Sequence, residues 1–327
     1  MTKPYQVFPD ISSINFEHSS DRAALNALRK IPGIDLLIKK IFGFLRDKPL
    51  RLIFLASAVR INENQRPDLY EELKKACEIL DCPVPELYLI QDARINAMAV
   101  GIEKPFIVIN TALLDRLVGD EIRTVLAHEL GHIISGHSLY KTINWILQWI
   151  LTGFFPSLFQ FATLPLVLAL KEWDRKSELS ADRAGLLASQ DLEVSLTVLF
   201  KLAGAMEKSK FNLEEFEMQA KEYQESGDLG DSFFKILNLI FLSHPFLVLR
   251  ISELRKWHDS GDYSKIKSGN YIRRSEESQT KVKDDFMKSY EEYKNNFKSS
   301  QDPLVNLAKE IYSFGESFIS EALRKKG

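Results

Sequence analysis

His128-Glu129-Leu130-Gly131-His132 lies inside an apolar helical pattern, and its three polar side chains suggest chemistry. On a helix, two histidines four residues apart project from one face, so both imidazoles can reach a single tetrahedral Zn²⁺. Glu129 then points beside the metal's open position, where a water molecule is acidified and needs a base. The pattern is the one expected of a zinc-dependent peptidase. The chain has only six histidines, so a chance His-Glu-x-x-His is expected on the order of once in a hundred such sequences.

A third ligand is needed. The metzincin pattern requires Gly and His beyond the second histidine, but Ser135 and Ser138 occupy those places, which excludes that subclass. His137, nine residues past His128, falls on roughly the opposite face of a continuous helix and reads as a structural or helix-end histidine. A better candidate is Glu178. It shares a helical face with Asp182, so Glu178 can complete a site for one Zn²⁺ per chain while Asp182 hydrogen-bonds the distal nitrogen of a ligand histidine. Glu172, Asp174 and Glu193 are competing carboxylates. The small residues Ser180, Ala181, Ala184 and Gly185 favour Glu178, because they let its helix approach another closely.

These residues need elements to hold them. Residues 23–61 read as helical and basic, with Leu36, Leu37, Ile41, Phe44 and Leu45 on one face and Lys39, Lys40, Arg46, Lys48 and Arg51 nearby. A packing arm is favoured here over membrane-surface contact. A helix is expected over 67–80, then three extended runs over 86–90, 95–99 and 106–109 that read as a small antiparallel sheet. Thr111 and Asp120 open further helices, Asp120 as the cap of the one that carries the histidines. More helices follow over 171–189, 192–206, 211–224 and 231–242, the last leading into Ser243-His244-Pro245.

Residues 142–170 carry no charge and include Trp145, Trp149, Phe154, Phe155, Phe159 and Phe161, with breaks at Gly153, Pro156 and Pro165. One membrane crossing takes about 20 apolar residues and would put Glu178 on the other side from the histidines. Two crossings need roughly 35–40, more than the stretch offers. Two options remain: a re-entrant or interfacial hairpin turning near Pro156, or an apolar hairpin packed on the domain. Beyond 261 the composition shifts to Lys, Ser, Glu and Asn, with an aromatic stripe (Phe286, Tyr290, Tyr293, Phe297) and a final amphipathic helix. Such stripes dock on their own domain, or less often form a partner-binding or regulatory tail.

With 327 residues, 45% hydrophobic and 27% charged, the chain can bury a sizeable core. A net charge of −2 argues against nucleic acid as a partner. Two cysteines, Cys77 and Cys82, cannot form a disulfide framework and suggest a reducing compartment. No secretory signal is visible in the first thirty residues. The expectation is a cytoplasmic protein, or one on the cytoplasmic face of a membrane, and not a secreted one.

The combination of His128-Glu129-Leu130-Gly131-His132, Glu178 through Asp182-Arg183, and His244-Pro245 followed by Arg250-Ile251 resembles the gluzincin family that contains the HtpX heat-shock protease and the CAAX prenyl endopeptidases. The resemblance covers about residues 65–258. It implies that His128, His132 and Glu178 bind zinc, that Glu129 is general base and acid, and that Asp182 supports a ligand. It implies further that His244 stabilises the oxyanion and that Arg250 supports the cleft or the Glu178 helix. Asn96-Ala97 matches the family's Asn-Ala segment, part of an edge strand that pairs with extended substrate. HtpX-like members carry well-separated transmembrane helices; here the N-terminal segment is charged and the central stretch is too short for a pair.

The expected fold is mainly α (α+β), a zincin-like metalloprotease core with a small antiparallel sheet packed on the His-Glu-x-x-His helix. A basic helical arm (1–64) precedes the peptidase core (65–260), and a charged helical tail (261–327) follows it. The expected activity is zinc-dependent hydrolysis of polypeptides, in proteolytic quality control at or near a membrane, with possible contact through 142–170. Alternatives are a prenyl-protein endopeptidase and a non-proteolytic zinc scaffold. The pattern leaves the oligomeric state open.

Overall fold

The computed structural model describes residues 5–29, 47–152, 157–205, 210, 212–225 and 247–277. His244, the face from Leu36 to Leu45 and the aromatic stripe at Phe286, Tyr290, Tyr293 and Phe297 lie outside the described residues.

In chain order the elements are α1 (Ser19–Arg29), α2 (Asp47–Ser57), β1 (Val59–Ile61), α3 (Pro67–Ile79), β2 (Leu87–Ile90), β3 (Ala97–Val100) and β4 (Phe106–Asn110). Then follow α4 (Thr111–Leu114), α5 (Asp120–Ile134), α6 (His137–Thr152), α7 (Ser157–Ser189), α8 (Leu192–Leu202), α9 (Leu213–Glu225), α10 (Leu247–Asp259) and α11 (Asp262–Lys267). The fold is mainly helical with one small sheet, as expected.

The sheet differs from the expectation in two respects. It has four strands in the order β1-β2-β4-β3, and β2 pairs with β4 in parallel, Leu87 opposite Ile107, so the sheet is mixed. β4 sits between β2 and β3 and is buried along all five residues. That suits a central strand with both faces covered, which reads as an unbroken apolar run. The extra strand, β1, was expected to be the end of a helix. Val59–Ile61 instead turns out of α2 and pairs antiparallel with β2.

Alternation along the strands divides the core. Leu87, Ala97, Ile107 and Ile109 join the main helical cluster, while Tyr88, Val100, Phe106 and Val108 point the other way onto Leu50 and Phe54 of α2. The rings of Tyr88, Phe106 and Phe54 pack edge to face or tilted at 5.4–6.2 Å. β3 is at the edge of the sheet, with one partner among the described residues.

The N-terminal residues belong to the same body. Phe8, Ile11 and Phe16 are fully buried in the cluster that holds Leu126, Ala127 and Leu130 of α5. Arg123 of α5 is buried, its guanidinium 4.0 Å over the Tyr5 ring and 3.0 Å from Glu72 of α3. Gly119, with φ +47, takes the cap position before α5, so Asp120 is its first helical residue instead of the cap.

Helices α6 and α7, which hold the described part of residues 142–170, pack against each other. The turn expected near Pro156 lies outside the described residues. Among the described residues, no helix is long and apolar enough to cross a membrane.

Candidate metal centre

Helix α5 presents the two histidines and α7 presents the carboxylate. These helices can approach because the contact lacks side chains: a Cβ on Gly131 would lie 2.7 Å from Cβ of Ala184 and 3.2 Å from Cα of Ala181. Gly185 faces Thr124 across the same seam, where an added Cβ would lie 3.1 Å from the Thr124 carbonyl oxygen. The small residues beside Glu178 therefore do what their sizes suggest.

At this seam Nε2 of His128 lies 3.4 Å from Oε2 of Glu178, and Nε2 of His132 lies 3.2 Å from Oε1. Ligand atoms from the three residues fall within 4.8 Å of one another, and all three residues are buried. Both imidazoles turn the same nitrogen inward, leaving Nδ1 for outer contacts. Nδ1 of His128 meets Oδ1 of Asp182 at 3.0 Å, and Nδ1 of His132 meets Nδ1 of His137 at 3.2 Å.

Two cations grip the carboxylates, Arg250 buried and Lys141 partly buried. Arg250 donates from Nε to Oδ2 of Asp182 at 2.7 Å and from Nη2 to Oδ1 at 2.6 Å, with Nη1 3.0 Å from Oε2 of Glu178. Lys141 of α6 donates to Oε1 of Glu178 at 2.7 Å and to Asp174 at 2.5 Å. Burial alone would raise the Asp182 carboxyl, but Arg250 and His128 hold it below its ordinary value. Burial would push the His128 imidazole down, yet Asp182 and Glu178 carry it up to about 9. His132 goes the other way, well below the ordinary value, through burial and the nearby Lys141 charge.

The donor set suits a cation. Glu129, Asp174, Glu178 and Asp182 are four carboxylates against Lys141, Arg250 and the His128 imidazole raised to about 9, so negative charge stays in excess in a site where His132, Glu129, Glu178 and Asp182 are buried. Buried charge requires compensation, and one divalent ion supplies it.

Of the competing carboxylates, Asp174 takes Lys141, and Glu172 pairs with Arg175 and Lys176 along its own helix. Glu193 sits in the first turn of α8. Asn96 and Ala97 line the cleft that holds His128 and Glu129. Lys141 was not singled out from sequence; its signal is a lone charge at the start of an otherwise uncharged helical stretch. His137 was read as structural, and nothing in its spacing showed its contact with His132.

The family model described as Peptidase family M48 matches residues 62–258, more than half of the chain. The chain belongs to peptidase family M48. It is similar to the plastoglobule-localized metallopeptidase 48, chloroplastic, of Arabidopsis thaliana, at 35% identity over 271 residues, covering 80% of this chain and 78% of that one. It is also similar to protease HtpX homolog 2 of Methanosarcina acetivorans, at 23% identity over 65% of this chain and 79% of that one. A third relative is protease HtpX of Legionella pneumophila, 28% identical over 53% of this chain and 70% of that one. No solved structure matches. As an M48 peptidase the chain is a metallopeptidase, and its substrates are polypeptides.

Proposed function

We propose that this M48 peptidase is a zinc endopeptidase that clears damaged or unfolded polypeptides. The observation that carries this reading is the convergence of His128 Nε2, His132 Nε2 and the Glu178 carboxylate, with ligand spacings of 3.4 and 3.2 Å. A tetrahedron with zinc–ligand bonds of about 2.0–2.1 Å has edges of about 3.3 Å, so these spacings suit zinc. When bound, the metal brings a water molecule's pKa down to about 7 and polarises the scissile carbonyl.

The chain's own residues do the rest. Asp182 accepts the Nδ1 proton of His128, which leaves the Nε2 lone pair for the metal and fixes the ring. Glu129, buried beside His128 in the cleft, takes the proton of the attacking water on its carboxylate and returns it to the leaving amine. The edge strand β3, which begins at Ala97 directly after Asn96, is assigned to pairing with an extended substrate strand. His244, outside the described residues, is assigned to the oxyanion on the family resemblance.

Glu129→Gln is the decisive variant. It is expected to retain zinc at one ion per chain and to lose hydrolysis of a denatured protein by at least about 100-fold, the lower end for a general base. Retained hydrolysis would refute the assignment.

We place the protein in the cytoplasm or on the cytoplasmic face of a membrane, with 142–170 as the membrane-contacting surface; the exposed Trp145 of α6 supports this. The protein should then sediment with membranes and resist a carbonate wash. Full solubility without detergent would make the hairpin a core or interface element.

A further inference from the structure

Helix α1 lies outside the segment matched by the family, yet it reaches the metal centre. Asp21, in its first turn, is fully buried among side chains of α6 and α7. Its Oδ2 lies 3.1 Å from Nε2 of His137 and accepts the Ser180 hydroxyl, while Oδ1 accepts Nε1–H of Trp173 at 3.0 Å. His137 is buried too, and its other nitrogen, Nδ1, is the one that meets Nδ1 of His132.

The proton inventory of these three groups has one arrangement compatible with a ligand histidine. If Nε2 of His132 gives its lone pair to a metal, the ring's single proton is on Nδ1, and that nitrogen is a donor. The facing Nδ1 of His137 must then accept. A neutral His137 carries its own proton on Nε2, directed at the Asp21 carboxylate, which can only accept. Both donors point outward from the metal, and the chain ends on an anion that is itself held by Trp173 and Ser180.

We infer that Asp21 and His137 are positioning residues for the metal centre: they fix the ring orientation and tautomer of His132 through a carboxylate–imidazole–imidazole relay. The inference rests on the reading of His132 as a zinc ligand. His128 is served directly by Asp182, whereas His132 is served through one extra ring, and the final anion comes from the N-terminal helix. The arm thus completes a site whose ligands all lie more than a hundred residues further along the chain.

The test uses the full-length protein with Zn²⁺ alone as probe. Long-range proton–nitrogen NMR of the zinc-loaded wild type is expected to show His132 protonated on Nδ1 and His137 protonated on Nε2. His137→Leu, folded by near-UV circular dichroism, should bind zinc about 10–100-fold more weakly in competition with a chromophoric chelator, the usual effect of losing such a partner. Asp21→Asn should weaken it by about 10-fold. A His137 proton on Nδ1, or wild-type zinc affinity in both variants, overturns the relay. If His137→Leu does not fold, Asp21→Asn and the wild-type tautomers decide. His132→Gln separates the two levels: if it still binds zinc as tightly as wild type, the ligand reading fails; if it loses zinc while both relay variants keep it, only the relay fails.

Discussion

Lys141 Nζ lies 2.7 Å from Oε1 of Glu178, so the buried carboxylate that faces two imidazoles also has a partly buried ammonium on it. Burial would push the Lys141 ammonium down, but Asp174 and Glu178 hold it above its ordinary value, so it stays charged. Its partners lie on α7, and the pair ties α6 to the helix that carries Glu178.

Lys141→Met would leave Glu178 and Asp174 without this cation. Breaking a buried pair costs about 3–5 kcal/mol, because the orphaned charge stays buried. With zinc bound, the dication takes over part of the compensation, and the loss should be smaller. Urea unfolding with chelator and with excess zinc checks this. An equal loss in both conditions would mean that Lys141 does not share Glu178 with the metal.

Gly131→Ala tests the close approach of α5 and α7. The added methyl would sit 2.7 Å from Cβ of Ala184, and neither neighbour is a flexible side-chain end. Overpacking of this kind costs about 1–3 kcal/mol. It would also push the Glu178 helix away from the histidines, so zinc affinity should fall together with the unfolding midpoint. A stability loss with unchanged zinc affinity would show that the seam can give way elsewhere.

The segment just before α1 and the Arg250 helix are joined by an acid-sensitive contact. Nε2 of His18 lies 3.7 Å from Oε2 of Glu253. The His18 contact, and with it Lys256, outweighs burial and holds the Glu253 carboxyl down at about 2, against an ordinary 4.5. A folded value below the unfolded one means that the stabilisation is present above about pH 4.5 and disappears as pH falls through about 2. Glu253→Gln should cost about 1 kcal/mol or less at neutral pH, since the pair is partly exposed. It should also flatten the fall in stability between those pH values. Denaturant titrations at several acidic pH values measure it, and an unchanged slope in the variant would remove Glu253 as the source.

The parts legible in the sequence were those that depend on local periodicity. His128 and His132 share a face because a helix repeats every 3.6 residues, and Glu178 with Asp182 follows the same rule. The run Ser180-Ala181, Ala184-Gly185 announces a close helix contact by size alone. Strand order is different: nothing within Leu87–Ile90 or Phe106–Asn110 says that they run in parallel, because a crossover through β3 decides it. β1 was hidden by the apolar residues of α2, which continue into it with no Gly or Pro to mark the change. Lys141 and Asp21 act on partners 37 and 116 residues away, at Glu178 and His137, and no spacing rule spans such distances.

The central claim is that one metal ion is held by His128, His132 and Glu178. Crystals of zinc-loaded protein, measured at the zinc absorption edge, test it most directly. The expected result is a single anomalous peak per chain, about 2.0–2.2 Å from Nε2 of His128, Nε2 of His132 and a Glu178 oxygen. A peak elsewhere, or a Glu178 carboxylate bound only by Lys141 and Arg250, would contradict it.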